Sequence, residues 1–299
     1  MGESAIETAW ARGRFDARNG RGRVLFGRMH EDASIELRTF EPGGRVFCIA
    51  SAGCTAMQLA ARHDVVAADV NPLQLAYARR RFEGEVGGAG VAERFIAIAR
   101  GLSPLVGWSR SLLREFLDLD DPEAQVVFWR RHLDTRRFRR ALRLLLSRPV
   151  LRRIYAAPFL ARLPPRFDEI VRTRMERGFA RHSNLRNPFV RELLLGETSP
   201  PAGPAGANGI RLVLSDAASF LESAPAGSFD GFTLSNILDT AGPDYEHRLI
   251  AAVKRAAAPG AVSVFRSFRE PAMFAPTNFA GEDRSMLWGI VDVRPAADL

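Results

Sequence analysis

Three groups of side chains in this sequence have the types and spacing of reactive or ligand-holding sites. His30-Glu31-Asp32 place an imidazole beside two carboxyls just ahead of a helix-compatible stretch. That grouping suits proton transfer or substrate positioning, and equally an N-cap with a solvated first turn. Ser51-Ala52-Gly53-Cys54 is a small-residue turn between an apolar run, Val46 to Ala50, and a helix-compatible stretch, Thr55 to Arg62. Asp69 closes the next apolar run, Val65 to Ala68. Small residues at a helix N-terminus admit close backbone approach, and a carboxylate ending a second strand accepts hydrogen bonds from both hydroxyls of a ribose. The combination suits an adenosine ligand, although a plain tight turn in a doubly wound protein has the same local pattern. Gly53 is the one glycine of the turn, where a dinucleotide fingerprint carries three, so a pyrophosphate is disfavoured.

The elements needed to position these groups follow the order strand, turn, helix, strand, acid, the first half of a βαβ unit. Asn71-Pro72 starts the next helix with an N-cap and a proline at its first position. Leu73, Ala76 and Tyr77 form its packing face, and Arg79, Arg80 and Arg81 are expected toward solvent or an anion. From Glu83 to about Gly196 the α/β alternation stops, with Gly87-Gly88-Ala89-Gly90 marking the break. Asp121-Pro122 and Asn187-Pro188 read as helix starts. Phe138, Ala141, Leu142 and Leu145 share one helical face, with Arg136, Arg137, Arg139, Arg140 and Arg143 around it. This is a core-facing helix with a solvated cationic side, or one that touches an anionic membrane or lipid.

Glu197 to Gly209 is a Pro/Gly/Ala linker, after which the alternation resumes. Ile210 to Leu214 reads as a strand ending at Ser215-Asp216, followed by a short helix, Ala217 to Ser223. Phe229 to Ser235 is a strand leading to Asn236, Ile237 and Asp239. Asp244 to Ala258 is a helix closed by Pro259-Gly260; Ala261 to Phe268 and Met286 to Val293 are the last strands. The spacing predicts a doubly wound, Rossmann-like α/β sheet of the class I methyltransferase type with a large helical insertion after the second strand. The expected divisions are a helical segment, 1–44, a ligand-binding domain, 45–83 with 208–299, and an arginine-rich insertion, 84–207.

Composition is that of an ordinary soluble globular chain: 299 residues, 46% hydrophobic and 25% charged, with a less ordinary net charge of +8 and a single lysine, Lys254. Trp10, Phe15, Phe26 and Phe40 are spaced as packing anchors. Cys48 and Cys54 form neither a disulfide framework nor a metal site, so a reduced compartment and no metal are expected. No signal-type apolar core or bilayer-length apolar run occurs, which points to a cytoplasmic protein, peripheral at most to the inner membrane face. No helix-turn-helix, RNA-binding or zinc signature is present, so nucleic acid is not an expected partner.

Strand ends carrying Ser51 to Cys54, Asp69, Asp216 and Asn236 to Asp239 are typical of enzymes that use S-adenosylmethionine, a cofactor without phosphate. Asp69 is expected on the ribose, Asp216 and Ala217 near the adenine, and Asn236 and Ile237 at the reacting end.

Five segments together also resemble a known family. Phe26 to Asp32, Ser51 to Ala56, Ala68 to Gln74, Asn187-Pro188-Phe189 and Asp283-Arg284-Ser285 are similar, in the same order, to the S-adenosylmethionine:diacylglycerol 3-amino-3-carboxypropyltransferases of betaine-lipid synthesis. His30 stands where that family commonly has tryptophan, and Thr55 where it commonly has asparagine. The resemblance implies cofactor contacts through Ser51, Ala52, Gly53, Cys54, Val70, Asn71 and Gln74. It also implies transfer of the 3-amino-3-carboxypropyl group to a hydroxyl of a lipid or specialised metabolite, or an intramolecular cyclisation, with methylthioadenosine released. His30, Glu31 and Asp239 are the candidate bases, and Arg28 or Arg284 the candidate partner of the cofactor's carboxylate. The alternatives are an ordinary methyltransferase on the same fold and a non-catalytic module that binds membrane or RNA through the insertion.

Overall fold

Among the described residues, apolar runs bounded by turn formers make six strands: β1 (Arg45–Ile49), β2 (Asp64–Asp69), β3 (Ile210–Leu214), β4 (Phe229–Thr233), β5 (Ala257–Ser267) and β6 (Ile290–Pro295). The computed structural model describes residues 23–85, 88–152, 160, 161, 163–197, 209–239, 241–271 and 276–299. Trp10, Phe15 and nearly all of the expected linker lie outside them. The strands form one sheet in the order β3-β2-β1-β4-β5-β6, parallel throughout except for β6, which runs antiparallel to β5.

The helices, in chain order, are α1 (Ser34–Thr39), α2 (Cys54–Leu59), α3 (Pro72–Phe82), α4 (Val91–Gly101), α5 (Arg110–Leu117), α6 (Pro122–Phe128), α7 (Arg136–Leu145), α8 (Arg148–Leu151), α9 (Phe167–Phe179), α10 (Pro188–Leu195), α11 (Ala217–Ser223) and α12 (Pro243–Ala256). Alternation along β1 divides the core between the two faces of the sheet. Val46 and Cys48 pack with Ile35, Leu59, Leu75 and Phe82 of α1, α2 and α3. Phe47 packs with Leu221, Leu249 and Val253 of α11 and α12. The N-caps expected from sequence form: Asn71, Asp121 and Asn187 accept the N–H groups of Leu73, Ala124 and Phe189.

Two expectations near the C-terminus are corrected. The helix expected to reach Ala258 ends at Ala256, and Pro259-Gly260 lies inside β5. Gly260 adopts φ +82°, and the β4–β5 register shifts between Phe229 and Gly231, an irregularity that accommodates a proline with no N–H to give the ladder. The last strand begins at Ile290 rather than Met286, because Met286 sits at φ +59° and packs against α9 instead.

Helices α5, α6, α7, α9 and α10 gather a second apolar core around the fully buried Trp129 and Phe179, with Trp108 stacked on Phe138 at 4.4 Å. It joins the strand ends through backbone contacts. A Cβ added at Gly178 of α9 would stand 2.3 Å from Met286 Cγ, so only glycine allows that approach. The buried Arg174 donates to the carbonyls of Leu287 at 2.6 Å and Phe268 at 2.7 Å. At the other end, the Glu93 carboxylate accepts the N–H groups of Gly27 at 2.7 Å, Arg28 at 3.1 Å and Gly90 at 2.8 Å, fixing the start of α4 against the segment before α1.

Candidate active site

The sheet order reverses at β1, whose chain continues to β2 on one side while β4 lies on the other, so a crevice is expected at the C-terminal ends of β1 and β4. Both strands leave the sheet through a left-handed residue that is not glycine, Ser51 at φ +43° and Ser235 at φ +50°. Such conformations cost on the order of 1–3 kcal/mol and gather at ligand sites.

Asp69 sits beside the first of them. Its Oδ2 accepts the Ser51 N–H at 3.0 Å and its Oδ1 the Asn71 N–H at 2.8 Å, so each oxygen keeps acceptor capacity. Burial pushes its carboxyl up to about 6 against the opposing pull of these backbone donors.

The rest of the turn is more structural than its sequence implies. Gly53 adopts φ +82°, and a Cβ there would meet the Phe82 ring at 2.5 Å; its missing side chain admits α3, not a ligand. Ala52 is fully buried among Met29 and Tyr77. Cys54 Sγ accepts from the Met29 N–H at 3.3 Å and from Arg81 Nη1 at 3.1 Å. Arg81, expected outward, is buried and also donates to the Ala52 carbonyl at 2.5 Å. Asn71 and Gln74 fasten the preceding segment over this turn. Asn71 Nδ2 donates to the Arg23 carbonyl at 3.2 Å. Gln74 accepts the N–H groups of Leu25 and Phe26 at 3.0 and 3.2 Å and donates to the carbonyls of Phe26 and Ser51 at 2.8 and 3.0 Å. Both side chains are 2% exposed, so they brace the site from beneath. Ser51, Cys54, Asp69 and Val70 keep partly open surface.

Beside the ends of β4 and β5, four carboxyls share two guanidiniums. Arg266 of β5, buried at 1% exposure, holds Glu36 through two bonds of 2.5 and 3.0 Å and Asp283 through one of 3.2 Å, with Glu31 Oε2 at 3.8 Å. Arg284 grips Asp32 in two bonds of 2.5 and 2.7 Å. Burial opposes ionisation of Asp32, but the Arg284 guanidinium outweighs it and holds that carboxyl below its usual range. For Glu31 and Asp283 burial wins over Arg266, and both carboxyls are raised. Ser235 Oγ donates a short hydrogen bond to Glu31 Oε1, while Glu31 Oε2 is buried with no hydrogen-bond partner. That orphaned oxygen stands at the strained exit of β4.

The other candidates distribute unevenly. His30 is half-buried beside Glu31, its Nε2 without a hydrogen-bond partner and 3.9 Å from Glu93 Oε1. Asn236 and Ile237 are partly exposed just after Ser235. Asp216 caps α11 by accepting the Ser219 N–H at 3.0 Å, and Ala217 is buried behind it. Asp239, a candidate base, accepts from Ser267 Oγ at its Oδ1, 2.6 Å, and from the Phe268 N–H at its Oδ2, 2.9 Å, which ties the turn after β4 to the end of β5. Arg284, a candidate partner of the cofactor's carboxylate, holds Asp32 through its Nε and Nη2. Arg28 Nη1 lies 3.4 Å from Glu192. Among the described residues no cluster of His, Cys, Asp and Glu is arranged to hold a metal ion.

No family model and no curated protein matches the chain. Among solved structures it is similar to the rRNA methyltransferase aviRa from Streptomyces viridochromogenes, at 14% identity and a TM-score of 0.35, over 89% of this chain and 84% of that one.

Sequence reasoning missed Ser235, Glu36, Glu93 and Arg266. Only Arg266 carries a local signal, a cation inside the apolar run Val264-Phe265-Arg266-Ser267-Phe268.

Proposed function

We propose that the chain binds S-adenosylmethionine at the ends of β1, β2 and β3 and transfers its 3-amino-3-carboxypropyl group to a hydroxyl-bearing acceptor. The observation that carries this reading is convergence: the five segments that resemble the aminocarboxypropyltransferases touch one another. Gln74 bonds to Phe26 and Ser51, Arg284 grips Asp32, Asn187 Nδ2 donates to the Arg284 carbonyl at 2.9 Å, and the Arg284 guanidinium lies 5.9 Å from the Phe189 ring centre. The residues fit the cofactor's chemistry as well. Asp69 presents a carboxylate with acceptor capacity for ribose hydroxyls.

The bound cofactor supplies a sulfonium that activates its neighbouring carbons. Everything else falls to the chain. Asp69 holds the ribose, and Asp216 and Asn236 line the neighbouring strand ends. Glu31 takes the acceptor's proton: its raised affinity for protons and its unpartnered Oε2 suit a base at the mouth of β4. His30 positions the acceptor or relays the proton beside it. Which carbon reacts is a matter of alignment, and alignment is worth about 7–11 kcal/mol in favourable intramolecular systems.

Calorimetry with S-adenosylmethionine tests the site. The wild-type chain binds, and Asp69→Ala weakens binding about a hundredfold or more, the loss of two charge-assisted hydrogen bonds. The same change removes the acceptor of the Ser51 and Asn71 N–H groups, so a moderate fall in melting temperature accompanies it. Unchanged affinity in Asp69→Ala would place the ribose elsewhere.

A pH dependence follows from the same carboxyl. Ribose hydroxyls donate to the ionised form, and burial sets the protonation of Asp69 near 6. Cofactor affinity is therefore full at pH 7.5 and falls as pH drops through 6, to about a tenth at pH 5. A flat binding profile from pH 7.5 to 5 contradicts this assignment.

A further inference from the structure

Helix α4, Val-Ala-Glu-Arg-Phe-Ile-Ala-Ile-Ala-Arg-Gly, is largely apolar, yet none of its residues is buried. Ile98 on α4, Leu102 at its C-cap and Leu105 in the turn that follows stand 63%, 51% and 74% exposed. Scattered surface leucines need no explanation, but three large apolar side chains exposed within eight residues mark a contact surface. The next element, Ser103–Val106, lies beside α7, and Trp108 stacks on Phe138 of that helix.

The two flanks of α7 differ. Arg139 and Arg143 are paired with Asp134 and Asp168. Arg137 and Arg140 lie on the opposite flank by helical spacing, both exposed, together with Leu144 at 70% exposure. Arg136 adds a third exposed cation at the helix start.

We propose that α4, the turn through Leu105 and the outer flank of α7 form a face that seats on an anionic lipid bilayer. The apolar side chains enter the acyl boundary while the arginines keep their guanidiniums among the headgroup phosphates. Charge complementarity selects this occupant: the chain carries +8 net charge, and neither signal alone gives stable anchoring. RNA would engage the arginines and leave the apolar side chains in water.

The face also leads to the site. Glu93 in the first turn of α4 holds the Gly27 and Arg28 N–H groups and lies 3.9 Å from His30 Nε2. A lipid hydroxyl drawn from the bilayer reaches the base by that route, a consequence that rests on the transferase reading, whereas the membrane face does not.

Co-sedimentation of the full chain with phosphatidylcholine vesicles, with and without about 30% phosphatidylglycerol, tests the face. The wild-type chain binds the anionic vesicles in a salt-sensitive way and the neutral ones weakly. Leu102→Asp with Leu105→Asp lowers binding about tenfold or more, and Arg137→Gln with Arg140→Gln flattens the salt dependence. Both double variants keep the wild-type melting temperature, since the four positions are exposed. Vesicle binding unchanged in the aspartate variant overturns the proposal. So does absence of wild-type binding, salt-sensitive binding to duplex RNA alone, or a dimer that the aspartates dissociate without any vesicle binding. Vesicle binding lost in the variants from a chain that never binds S-adenosylmethionine would uphold the face and refute the transferase.

Discussion

Arg266→Ala is expected to be the most damaging single change in the chain. The guanidinium is buried among Glu36, Asp283 and Glu31, and no other cation stands within ion-pair distance of Glu36 or Glu31 among the described residues. Removing one partner of a buried pair costs about 3–5 kcal/mol, because the stranded charge must protonate or stay desolvated. A loss of that size lowers the melting temperature by roughly 5–15 °C, or abolishes soluble expression. The double change Arg266→Met with Glu36→Leu removes both members of the closest pair and is expected to be more stable than Arg266→Ala. Thermal melts of the two variants decide the point; a wild-type melting temperature in Arg266→Ala would mean the cluster is not what holds α1 to the strand ends.

Glu31→Gln is expected to have the largest effect on turnover, a fall of about 10²–10⁴ in kcat with cofactor affinity within a few-fold of wild type. The amide still accepts from Ser235, so the local fold survives, but it takes no proton. The pH profile adds a readout that a structural role would not move. Burial raises the Glu31 carboxyl above its ordinary 4.5, so wild-type kcat falls on the acid side at a higher pH than an ordinary glutamate would give. Glu31→Gln loses that limb. His30→Ala is expected to slow turnover less and to leave the acid limb in place. Full activity in Glu31→Gln removes it as the base.

Much of the fold was legible because its signals are local. Apolar runs ending on Asp69, Ser215 and Asn236 mark the ends of β2, β3 and β4 to within three residues, and Asn-Pro and Asp-Pro pairs fixed three helix starts. The misreadings share a different cause. Arg81 lies in a run of three arginines that reads as solvated, yet the Ala52 carbonyl and Cys54 Sγ draw it inside. Gly53 reads as a ligand-facing glycine, but the ring of Phe82, from the next helix, claims the space. Gln74 has a side chain that could meet a ligand, and backbone from segments distant in sequence takes it first. Such partners come from tertiary packing, which spacing along one strand or helix does not encode. The Phe26–Asp32 motif was found for its chemistry, while the reason for its placement, a buried arginine on β5, lay far along the chain.

Ile98, Leu102 and Leu105 show the converse: apolar residues that could have served a core are left more than half exposed by the packing.

The central claim is that the strand-end site presents the γ-carbon of S-adenosylmethionine to a nucleophile. Incubating the purified chain with the cofactor and a lipid extract, then identifying the released nucleoside by mass, tests it most directly. The account predicts methylthioadenosine, lost in Glu31→Gln and Asp69→Ala; S-adenosylhomocysteine as the product would contradict it and make the chain a methyltransferase.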